Sequence, residues 1–383
     1  MRTAARLLAW ALLPLAGCVG APAAVGTAER GEGRARLVAV FPVENLSGRP
    51  APLDDIRRLL VERVTSHGLA VLDDAALERA VTAHRVRYTA GLEQGFARAL
   101  AQDTGVEAVL IPSLEVYEAA APPRIALFAR LVSTGGAPAV RWVDGAGAAG
   151  DDAPGILGIG LIEDPQALLA RAVESLARSL ARHVSEADGR DGERPVPRKF
   201  QPKIVYRSEA LERARPYSIA VVPFFNKSAR KYAGEIVALH MLRSLMAARN
   251  LTVVEPGIVR EELLRFRIIM REGISLPDTE TILGAVNADL VLNGEVTEYR
   301  EPLGPTGAPE VDFSVLFIER KTRRILYSAH SHNAGGDGVF FFDWGRVNTA
   351  HAMAAQMARA IAERMLAPPT AEPRPGARET ELR

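Results

Sequence analysis

Leu37-Val38-Ala39-Val40-Phe41-Pro42-Val43-Glu44-Asn45-Leu46-Ser47 returns later in the chain as Ile219-Ala220-Val221-Val222-Pro223-Phe224-Phe225-Asn226-Lys227-Ser228. Pro42 answers to Pro223, Asn45 to Asn226 and Ser47 to Ser228, each at a spacing of 181 residues. An apolar run that stops at proline reads as a buried strand, because proline cannot donate to a sheet ladder. The agreement extends outward. Leu69-Ala70-Val71-Leu72-Asp73 matches Leu251-Thr252-Val253-Val254-Glu255 at 182. Glu107 to Leu110, leading to Tyr117, matches Asp289 to Leu292, leading to Tyr299, also at 182. Leu180-Ala181 matches Ile361-Ala362 at 181. A period of this size is a duplicated domain and not a solenoid.

Each copy predicts one order of elements. The opening strand is followed by a helix whose apolar face is Ile56, Leu59, Leu60 and Val64 in the first copy, and Ala238, Met241, Leu242 and Leu245 in the second. A strand centred on Val71 or Val253 comes next. Helical stretches follow, and then a strand at Ala108 to Ile111 or Leu290 to Leu292. Hairpins turn back over Ile125 to Leu131 with Val140 to Val143, and over Val311 to Ile318 with Ile325 to Ala329. Closing helices bury Leu169, Val173, Leu176 and Leu180, or Met353, Met357, Ile361 and Met365. The first of these opens at Asp164-Pro165, a cap and first-turn pair. Strands alternating with helices and ending in a hairpin predict the α/β class: two tandem copies of a mixed sheet covered by helices.

The boundaries follow: a leader over 1–17, a tether over 18–35, the first unit over 36–184, a linker over 185–215, the second unit over 216–366 and a disordered tail over 367–383. The linker and tail are assigned from their polar, proline-bearing composition. The chain has 383 residues, 47 basic and 46 acidic side chains, and apolar residues make up 48%. Balanced charge offers no footprint for a nucleic acid.

The leader explains the one cysteine. Arg2 and Arg6 precede an apolar run from Leu7 to Ala16, which is too short to span a bilayer. Leu15-Ala16-Gly17-Cys18 then resembles the cleavage and acylation site of bacterial lipoproteins. That resemblance implies cleavage before Cys18, lipidation of its sulfur, palmitate among its acyl chains and a stable anchor. Val19, in place of aspartate, implies sorting to the outer membrane, on its periplasmic side.

Three further stretches carry a second resemblance: Pro223 to Ser228; Ala288-Asp289-Leu290-Val291-Leu292-Asn293-Gly294-Glu295-Val296-Thr297-Glu298-Tyr299; and Val315 to Ile318 with the Lys321-Thr322-Arg323 turn and Ile325 to Ser328. They resemble the periplasmic unit of the curli-secretion lipoprotein family (CsgG-type) and the amino-terminal domain of TolB. The same unit is similar to small lipoproteins that activate peptidoglycan synthases or assist exopolysaccharide export. The resemblance implies a scaffold or accessory protein of envelope export or assembly, without enzymatic activity or cofactor. A regulatory lipoprotein docking on a peptidoglycan synthase is the alternative. Envelope proteins and further copies of the chain are the expected partners. The hairpins are accounted for as ordinary sheet, so the chain is not expected to form a pore.

Motifs for chemistry are sparse. His330 and His332 share a strand face near Asp337, a pattern open to a metal or to a solvated strand end. The expectation is the strand end, with no metal ligand assigned. Ser228-Ala229-Arg230-Lys231 has a Ser-x-x-Lys spacing but lacks the partner motifs of that acyl-transfer class. Gly155-Ile156-Leu157-Gly158-Ile159-Gly160 reads as a loop. Two stretches are candidate partner surfaces. Phe224, Phe225 and Asn226 stand at the carboxyl end of a strand, where Asn226 alternatively fixes its own turn. Phe340, Phe341, Phe342 and Trp344 follow a glycine-rich segment and either face a partner or cap the core.

Overall fold

The computed structural model describes residues 37–152, 160–185, 196–268, 281–282, 284–302, 307–337 and 346–367. In the first copy β1 (Leu37–Val40), β2 (Glu44–Asn45), α1 (Leu53–Ser66), β3 (Ala70–Val71), α2 (Asp74–Ala83) and α3 (Gln94–Thr104) precede β4 (Ala108–Glu118). β5 (Arg124–Ser133), β6 (Ala139–Ala149) and α4 (Pro165–Ser185) complete it. The sheet runs β3-β1-β4-β5-β6, with the β1 pairings parallel and the hairpins antiparallel. Apolar side chains on both faces of β1 require cover on both sides. α1 and α4 bury Val38, Val40, Leu127 and Leu131, while α2 and α3 bury Ala39, Phe41, Val109 and Ile111. Asp164 accepts from the Gln166 amide at 2.9 Å, as its place before Pro165 predicts.

The second copy repeats this order. β7 (Ile204–Arg207) precedes β8 (Tyr217–Val221), β9 (Phe225–Asn226), α5 (Ala233–Met246), β10 (Leu251–Val253) and α6 (Pro256–Arg265). β11 (Leu290–Arg300), β12 (Glu310–Glu319), β13 (Ile325–Ala334) and α7 (Ala350–Leu366) close it. Its sheet runs β10-β8-β11-β12-β13-β7. The duplication extends to details. Register shifts fall between Leu114 and Val116 and between Val296 and Glu298, equivalent places in the two copies. Asp73 and Glu255, one repeat apart, each accept an amide at the start of the following helix.

One boundary changes. The polar composition of 185–215 predicts a linker, yet from Val196 onward the segment belongs to the second copy. β7 pairs antiparallel with β13, and Val196, Phe200 and Leu211 are buried in that copy's core. Three apolar side chains spaced through a polar stretch suffice to dock it.

Both copies lie in one compact unit. They join head to tail. α1 buries one face, through Ile56, Leu60 and Val64, whereas α5 is buried nearly all round. A helix apolar on every side is covered on every side. α5 and α7 cover their own sheet and also the outer face of β5 and β6, where Phe128 and Val140 join the second copy's core. The strand register shows why this contact is made once. Ser113, Val116, Ala126, Phe128, Gly145 and Gly147 form the face that receives α5 and α7. Their counterparts are Glu295, Glu298, Asp312, Ser314, His330 and His332, which are polar and partly exposed. At the other end α1 turns Asp54, Asp55, Arg58 and Glu62 outward. A heterologous contact propagates only if both complementary surfaces remain available, and here both free surfaces are charged.

Candidate functional site

The seam between the copies contains the described residues' one metal-capable group of three: Glu115, His240 and His351, all buried. Glu115 lies at the β4 register shift, the kind of irregularity that re-aims a side chain. Its counterpart at 182 residues is the exposed Thr297. His240 comes from the middle of α5 and His351 from the first turn of α7. α7 starts where Thr349 accepts the Ala352 amide at 3.1 Å. Gly145 and Gly147 make room: a Cβ on Gly147 would lie 2.4 Å from the His351 ring, and one on Gly145 2.8 Å from Phe128.

His351 Nδ1 stands 2.5 Å from Glu115 Oε2. Tyr299 donates its hydroxyl to Glu115 Oε1. His240 Nε2 is 3.5 Å from Glu115 Oε2, and neither ring nitrogen of His240 has a hydrogen-bond partner. Phe128 meets His240 edge-on at 4.7 Å between centroids, and the two imidazoles are 4.8 Å apart. Burial pushes the Glu115 carboxyl up, but the opposing pull of His351 beside it outweighs this and holds the carboxyl well below the usual range. Burial brings His240 down to about 4, so it is neutral at pH 7. At the start of α7, Glu301 accepts the Ala350 amide at 2.9 Å, and its burial pushes it up to about 7.

Polar ties flank this cluster. Arg230, which ends the second copy's turn, reaches back into the first copy's turn. It donates to the carbonyls of Ser47 and of Glu115, the latter at 2.5 Å. Arg243 meets Asp144 at 2.7 Å, and Ser179 donates to the same carboxylate at 2.6 Å. On the far side Arg130 Nε lies 3.4 Å from Glu255 Oε2, with both side chains almost wholly enclosed. Glu255 also accepts the Leu92 amide at 3.2 Å. Beside it Gly91 and Gly257 press backbone to backbone.

The residues singled out from sequence fall elsewhere. Phe224 is a correction: it is 1% exposed, in the core and not on a partner surface. Gly234 and Gly294 give it space, since a Cβ at Gly294 would come within 2.5 Å of its ring. Phe225 is half-buried on β9. Asn226 fixes its own turn, accepting the Ser228 amide at 3.0 Å and donating to the Arg230 carbonyl at 2.7 Å. Asn45 does the same with Ser47 and Arg49, at 3.0 and 2.8 Å. Ser228 of the Ser-x-x-Lys pattern is held in that turn, and Lys231 lies over the Tyr232 ring. His330 and His332 face Asp312 of the neighbouring strand, at 2.9 and 3.1 Å, while Asp337 accepts the Ala334 amide. Cys18, Phe340, Phe341, Phe342 and Trp344 lie outside the described residues. Sequence reasoning missed Glu115, His240 and His351. The available signal was a difference between copies: at an offset of 181, His240 and His351 stand where the first copy has Leu59 and Ala170.

No family model matches the chain, and no curated relative does. Among solved structures, the PelC dodecamer from Paraburkholderia phytofirmans is 20% identical, covering 41% of this chain and 96% of its own, at a TM-score of 0.27. Lipoprotein GNA1162 from Neisseria meningitidis is 20% identical over 38% of this chain and 99% of its own, at 0.26. The LpoB C-terminal domain from Salmonella enterica is 16% identical over 31% and 85%, at 0.26. Values this low assign neither a fold nor a role. No helix among the described residues is long and apolar enough to cross a membrane.

Proposed function

We propose that the chain is a lipid-anchored periplasmic scaffold or accessory protein of cell-envelope export or assembly, of the curli-secretion type, acting without catalysis. The observation that carries this is Leu15-Ala16-Gly17-Cys18 behind a short apolar run, in a chain with one cysteine. The head-to-tail seam supports it. Two copies locked by a shared apolar layer present their outer faces at fixed spacing, which suits a scaffold better than two mobile modules. The anchor is tested by metabolic labelling with palmitate and membrane fractionation. The wild-type chain takes up label and sediments with outer membranes, whereas Cys18→Ala is unlabelled and loses that association. Equal labelling and equal sedimentation of the two would overturn the reading.

Regulatory docking on a peptidoglycan synthase is the second reading, and one observation favours it. β7 is an edge strand with Ile204 66% and Tyr206 53% exposed. An apolar edge of this kind suits strand addition by a partner. Light scattering after size exclusion and co-purification separate the two readings. Ring-sized particles favour assembly, and a monomer recovered with a synthase favours regulation.

A further inference from the structure

The seam cluster asks for something the protein's own side chains do not supply. Glu115 comes from the first copy and both histidines from the second, and the three ligand atoms lie within 4.8 Å of one another. A buried imidazole normally has a partner for at least one nitrogen, because leaving it bare forfeits hydration with nothing in return. His240 is 1% exposed and neither of its nitrogens makes a hydrogen bond, the nearest acceptor being Glu115 Oε2 at 3.5 Å. Hydrophobic packing does not require it either, since the equivalent position in the first copy is Leu59.

We propose that Glu115, His240 and His351 bind a divalent cation of the zinc class, which staples the first copy to the second. The donors are two imidazoles and a carboxylate, a set borne by zinc sites with three protein ligands and one further position. A tetrahedral ion with ligands at about 2.0–2.2 Å sets neighbouring donors about 3.3–3.6 Å apart. Small side-chain shifts reach that spacing: His351 and Glu115 part slightly, and His240 closes in. The ion takes the place of the proton between His351 Nδ1 and Glu115 Oε2, and that proton leaves to solvent as the ion binds. Tyr299, bonded to the other carboxylate oxygen, holds Glu115 in orientation, as outer-shell donors do around metal ligands. Gly145 and Gly147 keep the space that His351 occupies. Because the ligands are shared between the copies, the ion adds to the stability of the whole unit. This holds wherever the chain is anchored.

The test uses the full chain purified from membranes without chelator. Elemental analysis should give about one zinc-class ion per chain. A strong chelator should lower its melting temperature by roughly several degrees, and added zinc should restore it. Cobalt in place of zinc should give the intense visible bands of a tetrahedral site. His240→Leu decides between this site and a purely structural cluster. With an ion in place, the variant loses the metal, the cobalt bands and the response to chelator, and melts below wild type in zinc. Without one, removing an unsatisfied buried imidazole leaves the melting temperature unchanged or raised. The proposal is overturned by a wild-type chain that carries no metal and melts identically in chelator and in zinc. That comparison stands even if the variant fails to fold.

Discussion

Arg130→Ala is expected to destabilise the protein by about 3–5 kcal/mol, the range for breaking one side of a buried ion pair. Arg130 projects from β5 of the first copy, and its counterpart in the second is Leu316. Its guanidinium reaches Glu255 and the Ala90 carbonyl, with 3% of its side chain exposed. Glu255 is fully enclosed, and Arg130 also attracts a second carboxyl, Glu44, whose affinity for a proton burial raises. Removing the arginine therefore leaves the Glu255 carboxylate in a dry seam without its ion-pair partner. The double variant Arg130→Leu with Glu255→Gln should recover most of the loss, because glutamine keeps an acceptor for the Leu92 and Gly257 amides and carries no charge. Urea denaturation of Arg130→Leu, of Glu255→Gln and of the double variant reads the coupling directly. Additive losses would show that the pair is not what matters there.

Gly257→Val should cost about 3 kcal/mol, at the upper end for overpacking. A Cβ at Gly257 would sit 2.3 Å from the Leu92 nitrogen, and one at Gly91 would sit 2.7 Å from the Gly257 Cα. Both obstacles are backbone, so no rotamer relieves them and the copies must part. The contrast is Gly95 in α3, where a Cβ meets nothing within 4 Å. Gly95→Ala should be neutral or stabilising, since alanine suits a helix better. Thermal melts of the two variants should move in opposite directions. A small effect at Gly257 would mean that the seam yields easily.

The repeat phrase ending in Pro42 and Pro223 made the fold legible, because strand, turn and helix each left a period or a stop in the sequence. Nearly every apolar position read from that period is in a core: Ile56, Leu60, Val64, Leu169, Met241, Met353 and Ile361 are buried. The site was not legible in the same way. Glu115 points inward because of a register shift, and its partners are 125 and 236 residues away. No local pattern reports such a meeting. What the sequence did contain was inequality between the copies. Gly145 and Gly147 hold the register positions that His330 and His332 hold in the second copy, so the histidines that drew attention mark the polar face and the glycines mark the seam. Phe224 was misread because the carboxyl end of a strand is often a functional edge, but Gly234 and Gly294 had already cleared a core site for it.

The central claim is that the two copies form one body through a seam made once. A protease site inserted between Gly189 and Arg190 of the Cys18→Ser chain tests it most directly. After folding and complete cleavage, native size exclusion should return both fragments together at the elution volume of the uncut protein. Elution as two separate peaks of about half the mass would contradict the account.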